Sequence, residues 1–217
     1  NKWCIKKNNK EYKYFKVNET LSKRDFNIYF ALIFWINIAL GFIISIVSNI
    51  YEQDFVIERP LYLHIVHAIC VAPILEEIIF RGVIMNNLKK YGIRVAIIIN
   101  SLLFGLSHYN VEMIIPAFLT GIIFSYVAYK YSIKYSILIH FFINAITKTS
   151  QVLAILRIDI LLILVGLFST FLIIFLLVFF IIGLAKGRYK EIFFILKLNV
   201  EDRKKLAEFV KNDFLYL

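Results

Sequence analysis

Ala72-Pro73-Ile74-Leu75-Glu76-Glu77-Ile78-Ile79-Phe80-Arg81-Gly82 lies inside an apolar run that extends from Leu61 to about Met85. Two acids and an arginine do not belong in a passive membrane span. Each charge near the bilayer centre costs roughly 2.5–3.5 kcal/mol on insertion scales. Glu77 and Arg81 stand at i,i+4 with the acid first, so they can pair on one helix face. Glu76 points about 100° away and has no partner in its own helix. It sits about 18 Å from the helix end near Leu88, too deep for a short side chain to reach water. The run therefore reads as a helix inside a bundle that shelters these charges.

The rest of the chain agrees with a bundle in a membrane. Of 217 residues, 60% are hydrophobic and 18% charged, and the mean hydropathy is +0.75. Soluble domains are about 45–50% apolar. Six apolar runs follow one another: Phe26–Ile50, Leu61–Met85, Ile93–His108, Met113–Tyr129, Tyr135–Leu156 and Ile158–Leu184. The expectation is an all-α, polytopic transmembrane helix bundle of about six spans with a polar catalytic cluster inside it. The formal charge of +10 does not point to nucleic acid, because the basic residues fall between apolar runs. Eight Lys and Arg lie in the N-terminal tail, three at Lys89, Lys90 and Arg94, two at Lys130 and Lys134, and eight in the C-terminal tail. The opposite side holds Arg59, Lys148 and Arg157, with the acidic loop Tyr51–Arg59. This asymmetry predicts both termini in the cytoplasm. The two cysteines, Cys4 and Cys70, make no disulfide framework. A chain opening on Asn1 reads as trimmed or incomplete, with no signal peptide ahead of the first run.

Two further spans carry polar residues. The third ends Phe104-Gly105-Leu106-Ser107-His108, and the fifth holds His140-Phe141-Phe142-Ile143-Asn144. Each has an i,i+4 pair on one face, and Gly105 allows close helix approach. A lone histidine or a lone polar pair is more often structural. Glu, two His and Asn on three helices can instead converge to activate water, with an acid or imidazole as base and imidazole or amide donors for an oxyanion. The same set could hold a metal such as zinc with an open position.

At these residues the chain resembles the CPBP family of CAAX- and bacteriocin-processing intramembrane endopeptidases, also called Abi. The family pattern is Glu-Glu-x-x-x-Arg, Phe-x-x-x-His and His-x-x-x-Asn, matched here in order by Glu76, Glu77 and Arg81, by Phe104 and His108, and by His140 and Asn144. The resemblance covers about Leu61 to Lys148. It implies a hydrolase that cleaves peptide bonds in the membrane. Glu76 with His108 would activate water, and His140 and Asn144 would stabilise the oxyanion. Glu77, Arg81 and Phe104 would support them. It implies either a glutamate-type or a metallo-type enzyme; in the latter Glu76, His108 and His140 would hold a divalent metal such as zinc. The implied partners are a peptide or protein substrate and the lipid bilayer. Ile-, Lys- and Asn-rich usage suggests a bacterial cell membrane and a role in bacteriocin or peptide processing or in self-immunity. The alternative is a non-catalytic immunity or scaffold protein that binds a peptide.

Other enzymes fit less well. Gly105-Leu106-Ser107 suggests a rhomboid-like serine protease but leaves the acids and Arg81 without a role. His-Glu-x-x-His is absent, and Asp159 is the lone candidate for an aspartyl type. A proton-coupled transporter would show repeats. His64 and His67 read as polar residues near the outer surface. The expected organisation is a basic tail over 1–25, a span and outer loop over 26–60, the catalytic core over 61–156, a last span over 157–185, and a tail over 186–217. In that tail Asn199 should cap a helix, with Leu206, Phe209, Val210, Phe214 and Leu217 lying on the membrane surface.

Overall fold

The computed structural model describes residues 4–7, 10–13, 18–48, 61–108, 110–156 and 159–212. The acidic loop Tyr51–Arg59, Arg157, Phe214 and Leu217 lie outside the described residues. A two-stranded antiparallel hairpin opens the chain, β1 (Cys4–Lys7) against β2 (Lys10–Lys13), with Ile5 opposite Tyr12. The sequence reading of a wholly α chain did not include it. Only two residues separate the strands, the loop length that hairpins favour. Among the described residues all else that is regular is helical.

Every expected apolar run is a helix. They are α1 (Lys23–Ser48), a continuous helical stretch over 61–88, α5 (Ile93–Leu106), α6 (Val111–Lys130), α7 (Ile133–Leu156) and α8 (Asp159–Ala185). Lys23–Ile44 and Val111–Lys130 are long and apolar enough to cross a membrane; Ile93–Leu106 and Thr170–Ala185 are apolar but shorter. The stretch over 61–88 divides into α2 (Leu61–Val66), a π segment His67–Val71, α3 (Ala72–Glu77), a second π segment Ile78–Ile84 and α4 (Met85–Leu88). Among the described residues α5 stops two residues short of its expected end, so His108 lies beyond the last turn.

The chain forms two compact units. One comprises Leu21–Glu76 and Ile137–Lys186. In it α1 packs on α8, burying Ile28, Tyr29, Ala31 and Ile33 of α1 and Leu176 of α8. Ser22 accepts the Asp25 N–H as an N-cap, and Phe26 meets Phe142 of α7 edge-on. The outer side of α8 exposes Phe168, Phe171, Ile174, Val178 and Ile181. Such a face suits lipid rather than water.

The other unit comprises Asn1–Thr20, Glu77–Ser136 and Gly187–Leu217. Its centre is the pair α5 and α6. Two glycines let them approach: a Cβ on Gly105 would stand 2.8 Å from the Ile114 carbonyl oxygen, and one on Gly121 would press on Phe104 and Ser101. Asn100 donates to Ser125 across the pair at 3.0 Å. Asn110 caps α6 by accepting the Glu112 N–H. After α8 come α9 (Lys190–Leu196) and α10 (Val200–Asn212). Asn199 caps α10 as expected: its Oδ1 accepts the Asp202 N–H at 2.8 Å, and Asp202 accepts the Asn199 N–H at 3.0 Å. This is a reciprocal capping box.

The apolar stripe of α10 does not all face outward. Phe209 is buried against Tyr91, while Val210 is exposed. Arg94 donates to Asp202 at 3.0 Å and lies 4.2 Å over the Phe194 ring. Tyr126 and Lys130 of α6 both donate to the Glu191 carboxylate. Tertiary packing thus draws the tail onto α5 and α6. Lys130 and then Tyr126 hold the Glu191 carboxyl below its usual range; the Asn199 backbone and then Arg94 do the same for Asp202. Depressed folded-state values mean that the stabilisation is present above the ordinary carboxylate range and is lost as pH falls through the lowered values. Hydrogen-exchange protection over 190–212, measured against the intrinsic rate at each pH, should therefore be unchanged on acidification to about pH 5 and fall below about pH 4. Glu191→Gln should weaken docking by about 0.2–1 kcal/mol, the scale of part-exposed pairs, read as faster exchange in α9 at neutral pH.

Candidate active site

The acidic motif sits where the helix is least regular. Pro73 has no N–H to donate, and its ring crowds the carbonyl four residues earlier. The helix widens just upstream, and the Ala72 N–H reaches back to His67 O. The Ala68 carbonyl then has no backbone donor at either helical spacing, since Ala72 is engaged with His67 and residue 73 is proline. A buried carbonyl left in that state costs about 1–3 kcal/mol. Asn144 of α7 supplies the missing donor: its Nδ2 lies 2.9 Å from Ala68 O. One amide N–H of Asn144 is thus committed to repairing the helix, and the second remains for other work. π segments of this kind occur often at functional sites, and here two of them bracket Glu76 and Glu77.

In the same unit, one turn before Asn144, His140 places Nε2 3.8 Å from Oε2 of Glu76. The His140 side chain is 8% exposed and that of Glu76 34%. The separation is too long for a direct hydrogen bond. It is short enough for electrostatic coupling and for groups that share a proton through one water. Glu76 is the only one of the adjacent acids with this access, since Glu77 is fully buried.

Glu77 belongs to a network in the other unit. Arg81 Nη1 donates to its Oε1 at 2.9 Å, and Ser136 Oγ donates to its Oε2 at 2.6 Å. Arg81 Nη2 donates to Gly121 O at 3.2 Å. The guanidinium lies 4.3 Å over Phe104 and 5.3 Å over Phe124. Both carboxylate oxygens of Glu77 thus accept hydrogen bonds. Phe104 in turn meets the His108 ring edge-on at 5.0 Å. His108 Nδ1 lies 2.8 Å from the Phe104 carbonyl oxygen. A carbonyl only accepts, so Nδ1 carries the proton in that bond. The i,i+4 spacing of Phe104 and His108 serves this contact, although His108 follows the helix rather than lying in it.

Ser136 escaped the sequence reading. Its signal was available: Ser136, His140 and Asn144 recur every four residues and make one polar stripe on α7. Pro73 carried a signal as well, but its effect falls on a carbonyl five residues away. Ser107 of the serine-protease alternative donates to the Phe104 carbonyl at 2.8 Å, which is a structural use. His67 is exposed; the His64 side chain lies outside the described residues. Among the described residues no group of three His, Cys, Asp or Glu side chains stands in a metal-holding arrangement.

Residues 58–146 match the family model described as Type II CAAX prenyl endopeptidase Rce1-like. The match spans the helical stretch with Glu76, Glu77 and Arg81, the Phe104–His108 corner and the His140–Asn144 face. Comparison with curated proteins and with solved structures finds no match. Over residues 58–146 the chain is similar to the CAAX-protease family of endopeptidases, the family its three motifs resemble.

Proposed function

We propose that this chain is an intramembrane endopeptidase in which Glu76, His108, His140 and Asn144 serve one hydrolytic reaction. The observation that carries the reading is the buried His140 imidazole 3.8 Å from Glu76, on residues that match the family segment. Glu76, with His108, takes a proton from water as the oxygen attacks the scissile carbonyl carbon. His140 and the second amide N–H of Asn144 donate to the developing oxyanion. The C–N bond then breaks, and the proton held by Glu76 passes to the leaving amine. Glu77 and Arg81 hold the helix and Phe104, and Phe104 holds His108.

In this reading the six apolar helices cross a bacterial cell membrane, with both termini in the cytoplasm as the Lys and Arg distribution favours. The substrate is a peptide or protein presented in the membrane. The composition favours bacteriocin or peptide processing, or self-immunity, over prenylated substrates.

Cleavage of a membrane-anchored peptide by the reconstituted chain tests the assignment. Glu76→Gln should lower the rate by at least about 100-fold, the scale of a lost general base, with insertion and thermal stability unchanged. Processing at the wild-type rate would remove Glu76 from the mechanism and favour a peptide-binding protein. Asn144→Ala should lower stability by about 1–3 kcal/mol by stranding the Ala68 carbonyl. Pro73→Ala, which returns an N–H to the helix, should offset much of that loss when combined with it. Additive effects in thermal unfolding would show that Asn144 does not serve the helix.

A further inference from the structure

Seven residues after the last apolar helix make up α9, and they leave an apolar patch uncovered. Phe193 is 64% exposed, Phe194 60%, and Val200 at the start of α10 72%. Leu196 joins them, and within α9 Ile192 turns inward to be buried. Lys190 and Lys197, both exposed, flank the patch in sequence. The nearby acids are largely spent inside the protein: Glu191 on Tyr126 and Lys130, Asp202 on Arg94, and Glu201 on Lys205. What remains outward is apolar in the middle and positive around it.

The place where α9 is held fixes its surroundings. Glu191 bonds to the last turn of α6, whose 20 residues are long and apolar enough to cross a membrane. A helix of that length rises about 30 Å, the thickness of the hydrocarbon layer. Its Lys130 end therefore marks the boundary between hydrocarbon and water. Tyr129, 41% exposed, lies at that end, as aromatic residues do at such boundaries. Arg94, in the first turn of α5, stacks on Phe194 from the same unit. α9 is thus tied at the level of lipid headgroups, where a bulky apolar patch with basic neighbours has a matching surface.

We propose that α9 is an interfacial anchor for anionic phospholipid. Phe193, Phe194 and Leu196 enter the boundary between headgroups and acyl chains, and Lys190 and Lys197 bind the lipid phosphates. The anchor is α9 rather than α10, because α10 sends Phe209 into the protein. It fixes the membrane depth of the Lys130 end of α6 and the Arg94 end of α5. The proposal stands apart from catalysis, and its test needs no proteolysis.

The full chain with Cys4→Ser and Cys70→Ser, carrying Phe193→Cys labelled with an environment-sensitive fluorophore, is placed in nanodiscs. The lipid is phosphatidylcholine alone or mixed with phosphatidylglycerol. Label emission should be blue-shifted and quenched by lipids brominated on their acyl chains, more strongly in the anionic mixture. Removing one lysine as Lys190→Gln or Lys197→Gln should lower the preference for anionic lipid about fivefold. In the unlabelled chain, hydrogen exchange over 190–197 should slow in the anionic discs. Water-like emission quenched by aqueous iodide, with identical exchange in both lipids, would overturn the proposal. So would acyl-chain quenching that is equal in the two lipids, because the lysines would then have no lipid role.

Discussion

A fully buried ion pair returns its desolvation cost only when the atoms left over find hydrogen bonds. Glu77 meets that condition at both oxygens and Arg81 at Nη1 and Nη2, and much of the unit around them follows from it. Glu77 needs Ser136, which brings in the start of α7. Arg81 needs the Gly121 carbonyl, reachable because residue 121 has no side chain to block it. Its guanidinium covers Phe104 and Phe124, and through Phe104 the position and tautomer of His108 are set. One charge pair therefore places three helices and one imidazole. Adjacent acids with opposite fates are the outcome: Glu77 is sealed and consumed, while Glu76 stays partly open beside His140.

A second constraint comes from an absence in the backbone. Pro73 removes a donor within the helix that carries Glu76. The defect is tolerated because α7 returns a donor through Asn144. Proline in a membrane helix commonly finds such rescue from a neighbouring helix. In the proposed reaction Asn144 would have two duties, structural through one N–H and electrostatic through the other. Loss of activity in an Asn144 variant would mix the two, which is why the proline provides the cleaner readout.

The positions of the helices were legible in the sequence because apolar runs of this length have few other fates. The Glu77–Arg81 pair was legible from spacing alone. The two π segments were not; the first arises where the missing N–H of Pro73 shifts the ladder. Nor was the docking of α10 by Phe209. Periodicity shows that a stripe exists but does not name the surface that covers it, and here Tyr91 competes with the membrane. α9 was missed because its short apolar run looks like part of a polar tail until Glu191 ties it to α6. The N-terminal hairpin was hidden among lysines that read as a topology signal. The motif residues were legible as types in order, whereas Ser136 became visible only through its 2.6 Å bond to Glu77.

The central claim is that Glu76 and His140 act on peptide hydrolysis as one unit. A double-mutant cycle on the reconstituted chain addresses it directly, comparing kcat/KM for the wild type, Glu76→Ala, His140→Ala and the double variant. Residues that work together lose most of the activity with the first removal and little more with the second. The account predicts a double variant about as inactive as either single one. Losses that simply multiply, or a His140→Ala chain that cleaves at the wild-type rate, would contradict it.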